Sequence, residues 1–378
     1  MLTWMLSGSD RTKLRLPGTD RAHDPAATLE MANRAAATAG ITRVADITWL
    51  DTIGIPTYQA IRPASLTVAV SQGKGLTPDL AKLSAMMEAI EVWHAEQPMT
   101  PVTVAAPRDV ADQLVYDLRE LPLSSPTVLH DGLPLDWQPA RSLLDGTPTL
   151  VPQEAVGFSL ARRSGWNAPA FFASTNGLAS GNTMAEAILH ALYEVIERDA
   201  VTLAVTGGDR GTPVDPASAD SAAVAELCET LARAGVSLEV RSVPSATELP
   251  CFIATITCAD YPPPFAGYGC HLSSEIALTR AITEAAQARV AYISGARDDL
   301  HQDVHAGRPQ QRRPAAPGAA IQPQRAHESL AEDLEDVVKR ATVAFAHPPL
   351  VADLSRPGLG VPVVRVLAPG SRVSPEVF

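Results

Sequence analysis

Polar residues recur at one helical spacing in three places. Ser84, Glu88 and Glu91 lie four and three residues apart in SAMMEAIE. His190, Glu194 and Glu197 repeat the spacing in HALYEVIE, and Arg280, Glu284 and Gln287 in RAITEAAQ, where an amide replaces the second carboxylate. Residues so spaced share one face of an α-helix. Most helix glutamates sit on solvated faces, but here the neighbours are small and apolar. Glutamates turned toward a core are costly unless a cation neutralises them. Two stacked carboxylates can hold a divalent ion, and magnesium takes one or two of them, completing its shell with phosphate oxygens and water. Four glutamates on two helices therefore suit two ions bridging a triphosphate. Lys74, Arg198, Arg280 and Arg289 would neutralise phosphate charge. Asn182 and Gln287 could hydrogen-bond base, ribose or phosphate.

These residues need elements to carry them. A β-type run at 66–70 leads into a turn, Gln72-Gly73-Lys74-Gly75, and a helix follows from about Thr77. Glycine would let this backbone approach a ligand closely. Residues 171–175 read as a second approach strand, 176–182 as a second glycine-punctuated loop, and 184–205 as a helix carrying Glu186, Glu194, Glu197 and Arg198. Strand, loop and acidic helix thus occur twice, as if by duplication. A strand or turn at 265–271 precedes the third helix, 274–294.

Elsewhere, Asp24 opens a helix running to about Ala39, with Gly40 as its stop. Strands are expected at 41–48, 57–62, 65–71, 150–154, 236–243, 252–258 and 361–367, with Arg62-Pro63 as a turn. Helices are expected at 110–118, 217–234 and 329–345. Residues to about Ala26 read as a poorly ordered arm or one that packs late. Segment 298–328 is polar, basic and proline-rich, and reads as a mobile loop or insertion. The division is an arm and helix, 1–40, and a catalytic domain, 41–378. His94 reads as a surface or packing group, His190 as either pocket lining or core, and Asp199 as a surface or buried pairing residue.

The chain has 378 residues, 46% of them hydrophobic and 19% charged, enough to bury a large core. A net charge of −12 argues against a nucleic-acid partner but not against ATP, which a metal can bridge to carboxylates. No apolar run is long enough to cross a bilayer, and the charges near the start follow its apolar stretch, the wrong order for a secretory signal. A cytoplasmic protein is expected. The four cysteines form no CxxC pair and read as core residues. There is no GxxxxGK[ST], no GxGxxG after a strand and no HExxH.

SQGKG with SAMMEAIE, NGLASGN with EAILHALYEVIERDA, and RAITEAAQAR resemble the three ATP-binding segments of the YcaO superfamily, in order. The resemblance covers about residues 41–299 and the closing strand. It implies an α/β fold, β-sheets packed by helices, with a non-P-loop ATP site in which acidic helices hold magnesium against the triphosphate. Glu88, Glu91, Glu194 and Glu197 match the metal-holding glutamates. Lys74, Ser84, Asn182, Glu186, Arg198 and Arg280 match nucleotide-contacting positions, and Glu284, Gln287 and Arg289 match the third segment. Family members use ATP to activate a peptide backbone amide. A nucleophile adds at the carbonyl, the amide-derived oxygen is phosphorylated, and phosphate leaves. A neighbouring Cys, Ser or Thr gives an azoline; an external sulfur donor gives a thioamide. Azoline-forming members often end in a PxPxP-type tail, and none stands at Ala368–Phe378. Many have ExxER in the first helix, whereas Val92 follows Glu91 here. The stretch from Ile47 to Gly75 with EAIEVWHAE looks most like members working beside a TfuA-type partner, a group that includes thioamide formers. The expected activity is thioamidation of a precursor peptide in ribosomal peptide maturation. The alternatives are an azoline-forming cyclodehydratase and a non-catalytic peptide-binding scaffold. With no spare domain to capture a leader peptide, a partner protein is expected to present the substrate, and a homodimer is carried over from the family.

Overall fold

The structure is a computed structural model describing residue 10 and residues 12–158, 169–259, 261, 263–296, 318–375 and 377. Its described helices are α1 (Pro25–Ala36), α2 (Pro78–Glu96), α3 (Gln153–Val156), α4 (Met184–Thr206), α5 (Ala222–Arg233), α6 (Ser274–Ser294) and α7 (Leu330–Phe345). A hairpin, β1 (Leu14–Leu16) and β2 (Thr19–Arg21), opens the described fold. An antiparallel sheet follows from β3 (Arg43–Asp46), β4 (Thr57–Ile61) and β5 (Val70–Lys74). In a second sheet β6 (Thr103–Ala105), β7 (Leu135–Ser142), β15 (Leu350–Asp353), β16 (Val363–Leu367) and β9 (Leu178–Ser180) lie side by side, with β8 (Pro148–Pro152) also on β7. The third orders β13 (Phe265–Cys270), β12 (Cys251–Thr257), β11 (Ser237–Ser242), β10 (Thr212–Asp215) and β14 (Ala319–Ala320).

Each repeat helix lies on a different sheet: α2 on β5, α4 on β16 and β9, α6 on β13. Each also touches a strand of another sheet, α2 on β9, α4 on β13 and α6 on β5, so the three polar stripes can face one another. The helices start alike. Thr77, Thr183 and Ser273 each accept a hydrogen bond from the amide three residues on, and each stands seven residues before Ser84, His190 or Arg280. A common start sets a common phase, so equivalent positions occupy equivalent faces.

The Gln72–Gly75 turn is corrected: residues 70–74 are strand β5, with Gly73 opposite Tyr58. Gly73 serves packing of strand on helix, since a Cβ there would lie 2.0 Å from the Ala85 amide nitrogen. Gly269 does the same on α6, where a Cβ would lie 1.9 Å from the Ala277 carbonyl oxygen. The strand expected at 65–71 accordingly begins only at Val70. Likewise residues 171–175 form just one isolated bridge, Leu123 to Phe171, while the strand is β9, inside the expected loop. In both places the strand is not the apolar run but the small-residue segment after it, which can lie against a helix.

Residues 110–118 form no α-helix; a 3-10 turn at Ala111–Gln113 stands there instead, and another begins at Leu118. The helix expected at 217–234 divides into a 3-10 turn, Pro216–Ala219, and α5, separated by Asp220 at φ 48°. Residues 298–317 of the expected mobile segment lie outside the described residues. The remainder is tied down: β14 pairs parallel with β10, and the Ser274 hydroxyl donates to the Gln322 carbonyl at 3.0 Å. Four buried cores hold the layers together; one joins α4 and α7 to β16, another α5 and α6 to β11 and β12. Cys251 and Cys270 are free thiols buried in the first, as core residues should be.

Candidate functional site

The three helices and the N-terminal hairpin enclose a cavity of about 490 Å³. Its walls include Lys74, Ser84, Glu88, Glu91, Asn182, Glu186, Glu194, Glu197, Arg198, Arg280, Glu284 and Gln287. Arg289 is the exception. It is buried and paired with Asp51, Nε to Oδ2 at 2.8 Å and Nη2 to Oδ1 at 3.1 Å. Arg289 follows Gln287 by two positions, and residues two apart on a helix face different ways. The nucleotide role assigned to Arg289 is therefore corrected to a fork-to-fork pair joining α6 to the loop before β4. Asp199 is also buried and accepts the Arg372 amide at 2.8 Å. His94 is buried with Nδ1 2.7 Å from the Ile90 carbonyl oxygen, whereas His190 lines the cavity.

The carboxylates are held but not matched. Glu91 Oε1 accepts the Ser180 amide at 2.8 Å and the Ser180 hydroxyl at 2.6 Å. Glu194 meets Arg198 Nε at 3.1 Å, and Glu284 pairs with Lys74 across the cavity. Burial pushes Glu91 up to about 8, with Glu88 and Glu194 adding to the rise against the Ser180 hydrogen bonds. Burial, helped by the negative charge of Glu284 and opposed by Arg280, Lys74 and Arg198, pushes Glu197 up to about 7. Glu194 is raised as well, by burial against the pull of Arg198. Burial is thus the main cost of ionising these groups, and a fixed cation is its natural remedy.

Buried polar atoms without a hydrogen-bond partner mark the same wall: Glu197 Oε2, Gln72 Nε2 and Arg280 Nε. An orphaned carboxylate oxygen beside orphaned donors fits a ligand carrying both metal ions and anionic oxygens. Among the described residues, no three His, Cys, Asp or Glu side chains already converge as a metal cage. Magnesium takes one or two protein carboxylates and completes its shell with phosphate and water. The donor set, all carboxylate, is also that of a hard cation. Burial and the nearby charges of Arg280 and Arg21 keep His190 neutral, so it adds no positive charge.

Some lining residues escaped the sequence. Gln72 and Tyr268 line the cavity from β5 and β13, and Leu16, Thr19 and Arg21 from the hairpin. For Gln72 and Tyr268 a signal existed: strands that pack on the acidic helices must aim alternate residues at the same space. The hairpin carried none. No described helix is long and apolar enough to cross a membrane.

Comparisons with known proteins bear on the fold and the family. An uncharacterised protein of Mycobacterium tuberculosis is 41% identical over 365 residues, covering 93% of this chain and 82% of its own length. A protein of Rhizobium leguminosarum bv. trifolii, described as lying in the tfuA 3' region, is 33% identical over 94% of this chain and 89% of its own. The structure of YcaO from Methanopyrus kandleri, bound with AMPPCP and Mg2+, superposes with a TM-score of 0.75 at 23% identity, covering 95% of this chain and 94% of that one. A heterocyclase in complex with substrate and cofactor gives 0.79 at 22% identity, and this chain spans 96% of itself but 55% of the heterocyclase. The sequence model of the ATP- and Mg2+-binding YcaO cyclodehydratases matches residues 72–372. The chain belongs to the YcaO family, whose cofactors are ATP and Mg2+.

Proposed function

We propose that this protein activates a backbone amide of a precursor peptide with ATP and converts it to a thioamide, using an external sulfur donor and a TfuA-like partner. The observation that supports an ATP site here is the cavity itself, where glutamates from α2 and α4 face Lys74, Arg198 and Arg280. The relative in the tfuA 3' region favours the partner and, through it, the thioamide.

In this reading Glu88, Glu91, Glu194 and Glu197 hold Mg2+. Lys74, Arg198 and Arg280 neutralise phosphate charge, and Ser84, Asn182, Glu186, Glu284 and Gln287 contact the nucleotide. ATP supplies the phosphoryl group that turns a poor leaving group, the amide oxygen, into a good one. The chain's part is positioning and charge. Its arginines offer forked donors to oxygens, and its lysine a point charge. Lys74 must exchange Glu284 for the incoming anion, so this pair holds both groups in place beforehand. The buried walls strengthen each of these contacts by excluding water. Ser180, through two hydrogen bonds to one oxygen, leaves the other oxygen of Glu91 for the metal.

The second reading is azoline formation by cyclodehydration, favoured by the family's own description. Mass spectrometry of the peptide after incubation with ATP, Mg2+, partner and sulfide separates them. Oxygen-to-sulfur exchange supports thioamidation; loss of water overturns it in favour of cyclisation. Homodimerisation, also proposed, is checked by light scattering.

A further inference from the structure

The N-terminal hairpin lies before the residues matched by the family model, which begin at 72. It is nevertheless built into the cavity wall. The Ala22 amide donates to Glu186 Oε2 at 2.9 Å, and Arg21 Nε stands 3.7 Å from Glu186 Oε1. The Thr28 hydroxyl donates to Asn182 Oδ1 at 2.8 Å. Asn182 Nδ2 in turn donates to Glu186, 3.2 Å from Oε1 and 3.1 Å from Oε2. These contacts decide which way the Asn182 amide points: oxygen to Thr28, nitrogen to Glu186. Without them the amide could turn over, and the glutamate could swing.

The hairpin is also fastened to α7, through Lys13 just before β1. Lys13 Nζ lies 2.6 Å from Asp333 Oδ2 on α7 and 3.0 Å from Asp20 Oδ2 on β2. Side-chain exposures of 1%, 8% and 0% make this a buried triad. Removing Lys13 would leave two buried carboxylates without their cation, so the lysine ties β2 and α7 together. The Asp333 carboxylate is further fixed by the His327 amide at 2.7 Å.

We propose that residues 13–28 form a strap that belongs to the nucleotide site: Arg21 and Thr28 position Glu186 and Asn182, and Lys13 latches the strap to α7. This rests on the ATP reading above. Arg21 also lines the cavity itself, so it brings a forked cation to the wall where Lys74 and Arg280 already stand.

The test uses the full chain, titrated calorimetrically with a non-hydrolysable ATP analogue and Mg2+. Arg21→Ala should weaken binding about tenfold, the scale of one charged contact, and Arg21→Lys should restore most of it. Thr28→Val, which keeps the side chain's shape but loses the hydroxyl, should weaken binding about threefold, with the ligand-free chain still unfolding cooperatively. Lys13→Met should weaken binding in the same direction although Lys13 does not line the cavity. Wild-type affinity in both Arg21→Ala and Thr28→Val overturns the strap while leaving the ATP site standing. No binding by the wild-type chain overturns the ATP reading, and the strap with it.

Discussion

Replacing Glu197 by Gln should stabilise the ligand-free protein and diminish the further stabilisation that nucleotide adds. Glu197 is buried, its Oε2 has no partner, and its carboxyl is pushed up to about 7 by burial and by Glu284. Raising a carboxyl from 4.5 to about 7 corresponds to roughly 3 kcal/mol between its two forms. Because the folded chain binds this proton more tightly than the unfolded chain, the contribution is fully present below 4.5 and is lost as pH rises through about 7. Glutamine is neutral throughout and escapes the loss. The ligand-free variant should therefore exceed wild type in stability at pH 8, by up to roughly 3 kcal/mol, and match it at pH 4.5. Mg2+ with an ATP analogue should narrow that gap. Saturating ligand at about a thousand times Kd adds about 4 kcal/mol to wild type, and the variant, lacking a metal ligand, should lose at least ~1.4 kcal/mol of that. Phosphate release should fall greatly. Urea unfolding at both pH values, with and without ligand, reads every term. A ligand-free variant weaker than wild type at pH 8, or one stabilised equally by ligand, refutes the reasoning.

Arg289→Ala should destabilise the chain by about 3–5 kcal/mol by stranding Asp51, yet leave nucleotide affinity of the folded fraction near wild type. A large affinity loss without destabilisation would return Arg289 to the site. Gly73→Ala should prevent β5 from lying on α2, costing about 3 kcal/mol or more, seen as loss of cooperative unfolding. Lys74→Met should weaken Mg2+-nucleotide binding about tenfold or more by calorimetry, since it removes a phosphate partner and leaves Glu284 unpaired; unchanged affinity would remove Lys74 from the site. Ser180→Ala removes a hydrogen bond that favours ionised Glu91, so the pH at which Mg2+ affinity reaches half its maximum should move upward; a downward move would contradict the assignment.

Helix identity was legible because each repeat helix combines a hydroxyl cap with helical spacing; α6 spans the expected residues, Ser274–Ser294. Helix spacing also placed the glutamates on one face, and the cavity collects all of them. Strands were read less well. Apolar alternation pointed to 66–70 and 171–175, but tertiary contact selected Val70–Lys74 and Leu178–Ser180. Those segments carry Gly73 and Ala179, small enough to lie on α2 and α4, a property that matters only when the helix is present. The strap was read as a poorly ordered or late-packing arm. Its order comes from Asp333, 320 residues away in sequence, which no local pattern announces.

From the sequence alone came the chemistry: which carboxylates share a helix face, how many there are, and the family whose three segments they resemble. Such facts follow from spacing along one chain segment, because a helix repeats locally. Tertiary structure alone decided which residues meet. It paired Arg289 with Asp51 instead of a ligand, set Ser180 against Glu91, and brought the strap to Asn182 and Glu186. Each of those contacts joins residues far apart in the chain, and their energies depend on burial, which exists only once the sheets and helices have closed around the cavity.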